Sequence, residues 1–222
     1  MDIKTFFKKL NYRWKRFRRR LNKQPSEEEL AAKLPKLKAI HQLQLKGFID
    51  VFFADETGFS LTPNIPYGWQ KVGEQLCFTT QRKHIQNTFG LLNVGSKVLH
   101  SYSTKPAQMV NTRFICQSID DFALKISKPT VIILDNAPWH KSNKFMMKID
   151  QWQNQDLYIF HLPRYSPHLN LIETLWRKIK YEWLRPKDFN SKTALKRRLR
   201  HIFENFGVLF DINFSMNFYH KL

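Results

Sequence analysis

Cysteine is nearly absent. Two residues in a chain of 222, Cys77 and Cys116, stand far apart with apolar neighbours. Reduced, partly buried thiols are therefore expected, rather than a disulfide or a zinc site. Long apolar runs are missing too, and no stretch approaches the ~18 residues a membrane-spanning helix needs. The opening MDIKTFFKKL has neither an apolar signal core nor a cleavage site, which points to a cytoplasmic chain. There is no internal repeat and no long low-complexity segment. Acids are scarce: 18 Asp and Glu face 37 Lys and Arg, for a formal net charge of +19. That excess repels itself within a fold and attracts a polyanion. Nucleic acid is the first candidate and an anionic membrane surface the second. With 42% hydrophobic and 14% aromatic residues the chain is a folding one. Its length suits one good core, alone or with a small appendage.

Residues 1–46 differ from the rest. KKLNYRWKRFRRRLNKQ is a dense positive block interleaved with Tyr12, Trp14 and Phe17. The following PSEEELAAKLPKLKAIHQLQ predicts a helix with a capping box, Ser26 accepting from the Glu29 N–H and Glu29 reaching back. Pro35 is expected to kink or divide that helix. A globular region then runs over 47–222. FIDVFFAD predicts a strand over 48–54, and the turn-rich ETGFSLTPNIPYGWQKVGEQ predicts hairpin connections with a short strand near Trp69. Two strands joined at Gly95, a helix over 107–126, the buried strand TVIILD, a helix over 140–152 and the strand LYIFHL follow. Helices over 170–184 and about 190–204 complete the pattern, before an ambiguous Phe-rich tail. Early hairpins followed by crossover units imply an α/β fold, a mixed sheet with helices on both faces.

The buried run VIIL ends abruptly in Asp135, and the first strand leads into Asp55. If the two strands are neighbours, the carboxylates lie side by side, where like charges a few Å apart do not both ionise easily. A divalent cation such as Mg²⁺, which takes oxygen ligands, resolves that conflict. A third acid, Glu173, opens the helix 38 positions after Asp135, room for one helix, one strand and a loop. Each acid also has a local role open to it. Asp55 can start a turn with Glu56, Thr57 and Gly58. Asp135 can cap the next helix, and Glu173 can form a capping box with Asn170.

Three segments, FFADETGFSLTPNIPYGWQKVGE, VIILDNAPWHKS and LPRYSPHLNLIETLWRKIK, resemble the signature blocks of DDE transposases, in the insertion-sequence branch of the mariner-like superfamily. The third is the most specific: Tyr-Ser-Pro, Asn, Ile-Glu and Trp recur there in that order. The resemblance spans about residues 48–184 and implies a ribonuclease-H-like catalytic domain over 47–222, preceded by a basic helical arm over 1–46. It matches Asp55, Asp135 and Glu173 to the family's catalytic, metal-binding triad, and so implies two Mg²⁺ ions, with Mn²⁺ as a substitute. Two departures stand out. The family's helix-turn-helix pair is missing upstream, which implies a separate helix-turn-helix polypeptide or a split reading frame. His168 also stands where the family often has an acid.

The implied activity is Mg-dependent DNA endonuclease and strand transfer at mobile-element ends, with water as nucleophile for cutting and the freed 3′-hydroxyl for joining. The alternative is a catalytically silent DNA-binding fragment that regulates transposition. Asn136, His140 and Asn170 are expected beside the triad. His140 would touch a scissile phosphate or orient a water, or else bond only locally. Trp69 would stack on a base, or serve as a core residue. Arg177 and Lys180, off the core stripe of Ile172, Leu175, Trp176 and Ile179, would meet phosphates or face solvent. The partners implied are double-stranded DNA, both element inverted repeats and target, and a second copy of the chain. No membrane is implied, and a cytoplasmic, nucleoid-associated location is expected. Lys8, Lys9, Arg13, Lys15, Arg16, Arg18, Arg19 and Arg20 are expected to contact DNA backbone, which positions a protein without reading sequence. If they and their neighbours neutralise six to ten phosphates, DNA affinity falls about 10³–10⁵-fold between 50 and 200 mM salt. A nearly flat salt titration would remove nucleic acid as the partner.

Overall fold

The computed structural model describes residues 5–6, 10, 24–63, 72–73, 84–105 and 108–214. The basic block from Lys8 to Arg20, Trp69, Cys77 and the end of the Phe-rich tail lie outside the described residues. Five strands form one sheet in the order β3-β2-β1-β4-β5. They are β1 (Asp50–Ser60), β2 (His84–Asn93), β3 (Val98–Ser103), β4 (Thr130–Leu134) and β5 (Leu157–His161). The first three are antiparallel, whereas β4 lies parallel to both β1 and β5, so the sheet is mixed as expected. The turn between β2 and β3 is tied by Asn93 Oδ1, which accepts from the N–H groups of Gly95 and Ser96.

β1 differs from expectation. It runs on past Asp55 to Ser60, because Glu56, Thr57 and Gly58 pair with Phe89, Thr88 and Asn87 of β2. Cross-strand partners outweigh the local turn preference of Glu-Thr-Gly, as strand propensity is largely a matter of context. Asp55 is thus a residue of the strand interior, not its end. Alternate side chains of this strand enter two separate cores. Phe53 and Phe59 face α1 (Glu27–Leu45), α4 (Ile172–Lys178) and α5 (Lys192–Glu204). Phe52 and Ala54 face α2 (Thr112–Ala123) and α3 (Asn143–Gln153). Burial on both faces explains why the inner strands are continuous apolar runs.

Of helices α1 to α5, all but α4 start where the sequence supplies a side-chain cap. The side chains of Ser26, Asn111, Ser142 and Ser191 accept from the N–H groups of Glu29, Phe114, Phe145 and Ala194. Only half of the expected capping box forms, because the Glu29 carboxylate turns instead to Lys33 Nζ and the Arg164 N–H. Nor does Pro35 divide α1, which continues to Leu45 with Leu37 set into the core. The helix expected over 170–184 splits: α4 is followed by a π turn, Ile179–Trp183. Cys116 is a buried free thiol. Among the described residues no helix is long and apolar enough to cross a membrane.

The packing of α4 on the sheet depends on Gly90. A Cβ there would lie 2.6 Å from the Trp176 ring, inside van der Waals contact. Gly90→Ala is expected to destabilise the fold by about 1–3 kcal/mol, since the ring and helix must shift to admit a methyl group. Urea denaturation monitored by tryptophan fluorescence checks this.

Candidate active site

Parallel pairing of β1 with β4 is in register from Asp50 with Thr130 to Phe53 with Ile133. Two residues beyond that last pair come Asp55, still within β1, and Asp135, the first residue past β4. β4 ends at Leu134, so Asp135 leaves the sheet just where β1 continues. Glu173, in the first turn of α4, lines the same open cleft of about 520 Å³. The structure therefore brings the three predicted acids to one cleft, together with Asn136 and Asn170. Among the described residues, no three His, Cys, Asp or Glu side chains are drawn close enough to chelate a metal as they stand.

The electrostatics follow from that crowding. Burial, then the charges of Glu173, Glu56 and Asp135, push the Asp55 carboxyl well above its ordinary range. Glu173 is raised by burial and by Asp135, against the pull of Lys180 and Arg177. The Lys180 ammonium lies over the Phe59 ring, 5.6 Å from its centre. Burial lowers the Lys180 pKa, while Glu173 and Asp55 act to raise it. Lys180, in the π turn after α4, therefore compensates the acids. Arg177 is exposed beside Glu173.

Asp135 behaves differently. Burial would raise its pKa, but hydrogen bonds from His140 and the Ala137 N–H prevail and lower it. Both bonds, each 2.9 Å, fall on Oδ1. His140 is fully buried, and its other ring nitrogen, Nε2, lies 2.8 Å from Glu56 Oε1. That oxygen also accepts from Trp139 Nε1 at 3.2 Å. An imidazole between two carboxylates satisfies both only as the doubly protonated cation. Burial works against that charge, yet the two acids raise its pKa to about 9. His140 thus reaches the cleft through Asp135 and has no open path to a phosphate. Asp135 turns the chain toward Ala137 and does not cap α3, whose cap is Ser142.

The remaining neighbours set the walls. Asn170 donates from Nδ2 to the Ala54 carbonyl at 3.0 Å, locking the loop before α4 to β1. Its Oδ1 is buried with no hydrogen-bond partner among the described residues. Leu171, not Asn170, is the N-cap of α4, so no capping box forms with Glu173. Asn136 donates to the Leu162 carbonyl. Three groups were not picked out in the sequence: Glu56, Lys141 and Arg164. The last two line the cleft and give it cationic walls. Lys141 had a signal, since it directly follows His140 in the APWHKS motif. The donor set as a whole is carboxylate and amide oxygen without cysteine, which suits a hard divalent cation rather than zinc.

A family model described as DDE superfamily endonuclease matches residues 50–196. The chain belongs to the DDE superfamily endonucleases. This is the family expected from the three motifs, and the matched span includes Asp55, Asp135 and Glu173. The chain is 28% identical over 178 residues to a protein of insertion element IS630 from Shigella sonnei, covering 76% of this chain and 49% of that protein. It thus spans about half the length of that relative. Among solved structures, it resembles a Mos1 transposase paired-end complex with left transposon end, with TM-score 0.60, 14% identity and coverage of 98% of this chain and 64% of that one. It also resembles the catalytic domain of Mos1 mariner transposase, with TM-score 0.53, 14% identity and coverage of 90% and 89%. At such identities the likeness is one of fold, and the fold is the expected ribonuclease-H-like one.

The His140 bridge yields a pH prediction. Its folded value, about 9, lies above the ordinary 6.5, so the fold binds the proton more tightly than the unfolded chain does. The stabilisation is complete below pH 6.5 and is lost as pH rises through about 9. His140→Gln should cost about 3–5 kcal/mol near neutral pH, because Glu56 is left without its cationic partner. Melting temperatures of both proteins across pH 6–10 should converge toward the alkaline end.

Proposed function

We propose that this DDE endonuclease chain acts as the catalytic domain of a transposase, a divalent-metal-dependent DNA endonuclease and strand transferase working at mobile-element ends. One observation carries the reading: Asp55 within β1, Asp135 just past the end of the adjacent parallel strand β4, and Glu173 of α4 line the same cleft. Asp55, Asp135 and Glu173 would hold Mg²⁺ or Mn²⁺. A metal ion bound there supplies the charge that makes in-line displacement at phosphorus feasible, by activating the attacking oxygen and neutralising the leaving one.

The chain's own groups have separable parts in this reading. Asp55 and Glu173 are held in a cleft where burial and mutual repulsion disfavour ionisation, so a cation is needed to keep both charged. Asp135 is kept ionised by the His140 cation and oriented through Oδ1, so that Oδ2 is left for the cleft. Glu56 holds His140 from the far side. Lys141 and Arg164 would receive the phosphates flanking the scissile bond and oppose their charge. Arg177 of α4 and Lys180 of the π turn after it would extend that contact. The double-stranded DNA partner and the divalent ion are supported by the resemblance to solved Mos1 complexes, one named as a paired-end complex with left transposon end and others as complexes with Mn and with Mg. A homodimer and a separate helix-turn-helix polypeptide belong to the same proposal.

The silent, DNA-binding alternative draws support from the open spacing of the acids, which form no ready chelating group. Asp135→Asn separates the two. Nicking of a labelled duplex in Mg²⁺ should fall at least about 100-fold in the variant, the scale of losing one transition-state charge stabiliser. DNA affinity should be unchanged or higher, since a negative charge has been removed from the cleft. In parallel, added Mg²⁺ should raise the melting temperature of the wild type and not that of the variant, as a ligand that binds only the folded chain does. Equal nicking by both proteins would end the catalytic assignment.

A further inference from the structure

We infer that the groove between β3 and α5 seats the sugar–phosphate backbone of duplex DNA, as a second contact beside the acid-lined cleft. The inference rests on the nuclease reading for the identity of the polyanion.

The groove has a volume of about 340 Å³. One wall carries Gln86, Ser101 and Ser103, and the other Lys196 and Arg200. Gln86 Nε2 donates to Ser103 Oγ at 2.8 Å, which orders the hydroxyl wall. Among the described residues, Glu204 is the only acid lining it. Lys192, Lys196 and Arg200 recur every four residues and so form one stripe along α5. None of the three is paired with a carboxylate among the described residues. Like charges at this spacing repel and destabilise a helix, so the stripe works against the fold that bears it. A bound polyanion removes that repulsion. The stripe covers about 12 Å at 1.5 Å per residue, against one phosphate per ~3.4 Å of axis on each DNA strand. Several successive phosphates of one strand therefore match its length.

The sheet fixes where the groove lies. Asp55 pairs with Gly90, and Gly90 with Ser101, so the three form one row across β1, β2 and β3. Directly opposed residues share a face, so Ser101 lies on the side of Asp55, two strand spacings or about 10 Å away. That is less than the ~12 Å width of a major groove. Trp176 of α4 covers Gly90 between the two, so a duplex that touches both the cleft and the α5 groove lies across α4. Arg198 takes no part, because its guanidinium is engaged by the Trp183 carbonyl and the Phe210 ring.

The test uses the full chain and a fluorescent duplex, with binding followed by anisotropy between about 50 and 200 mM salt. Lys196→Gln with Arg200→Gln should lower the slope of log affinity against log salt by about 1.8, the value for two lost phosphate contacts. Lys125→Gln, just past the end of α2, with Lys144→Gln on α3, both away from the groove, should leave the slope unaltered. Acylation of lysines in the wild type, read by mass spectrometry, gives a result that needs no variant. DNA should protect Lys196 and leave Lys144 as reactive as before. A wild-type slope in the Lys196/Arg200 variant, or full reactivity of Lys196 in saturating DNA, would overturn the inference. So would loss of a salt-sensitive dimer in that variant with DNA binding intact, which would assign the groove to a second copy of the chain. Failure of the nuclease reading is visible separately, as nicking by Asp135→Asn. The two failures are therefore told apart by different measurements.

Discussion

The site depends on how one strand is shared between two kinds of pairing. The first half of β1 lies parallel to β4, and its second half pairs only with β2, antiparallel. Where β4 stops, β1 is left with a free side, and the turn Pro138–Lys141 occupies the region beyond the end of β4. The parallel register carries Asp55 and Asp135 to one cleft at that boundary. Two carboxylates in one cleft, with a third acid on α4, conflict electrostatically, and the surroundings are organised around that conflict. Lys180 and Arg177 offset it from one side, and His140 from beneath Asp135.

His140 links the two layers of the molecule. Asp135 belongs to the face that carries α4 and α5, whereas the ring packs against Phe145 of α3 in the opposite core. Glu56, the neighbour of Asp55, points to that second core by strand alternation and meets the ring there. A buried cation between two acids is weak evidence of net stability, since its desolvation offsets much of the attraction. Its effect is to fix the direction in which Asp135 presents its free oxygen. In the nuclease reading, that orientation is what the network contributes.

Much of this was legible in the sequence. The apolar run before Asp135 ends the strand where the residues say it does, and Ile172, Leu175, Trp176 and Ile179 are all buried as their spacing requires. The motif around Asn170 and Glu173 led directly to the family. Other features were hidden because they depend on distant partners. Glu-Thr-Gly after Asp55 has turn chemistry, and only the antiparallel partner β2 makes it strand. Glu56 could not be matched to His140 without knowing that β4 stops short of it. Arg164 enters the cleft because the loop after β5 is tied to α1, where the Glu29 carboxylate accepts from the Arg164 N–H. Such a bond spans most of the chain and leaves no local trace.

The mixed pairing of β1 also bears on how the chain folds. Its partners in β2 lie close in sequence, whereas Phe53 and Ile133, paired across β1 and β4, are 80 positions apart. Closing so long a loop is entropically costly, and contacts of that range tend to form slowly. The hairpins can assemble first, with the second acid still remote. The loop that must close to bring Asp135 beside Asp55 is thus the longer one, and the acids' repulsion is met only when it closes.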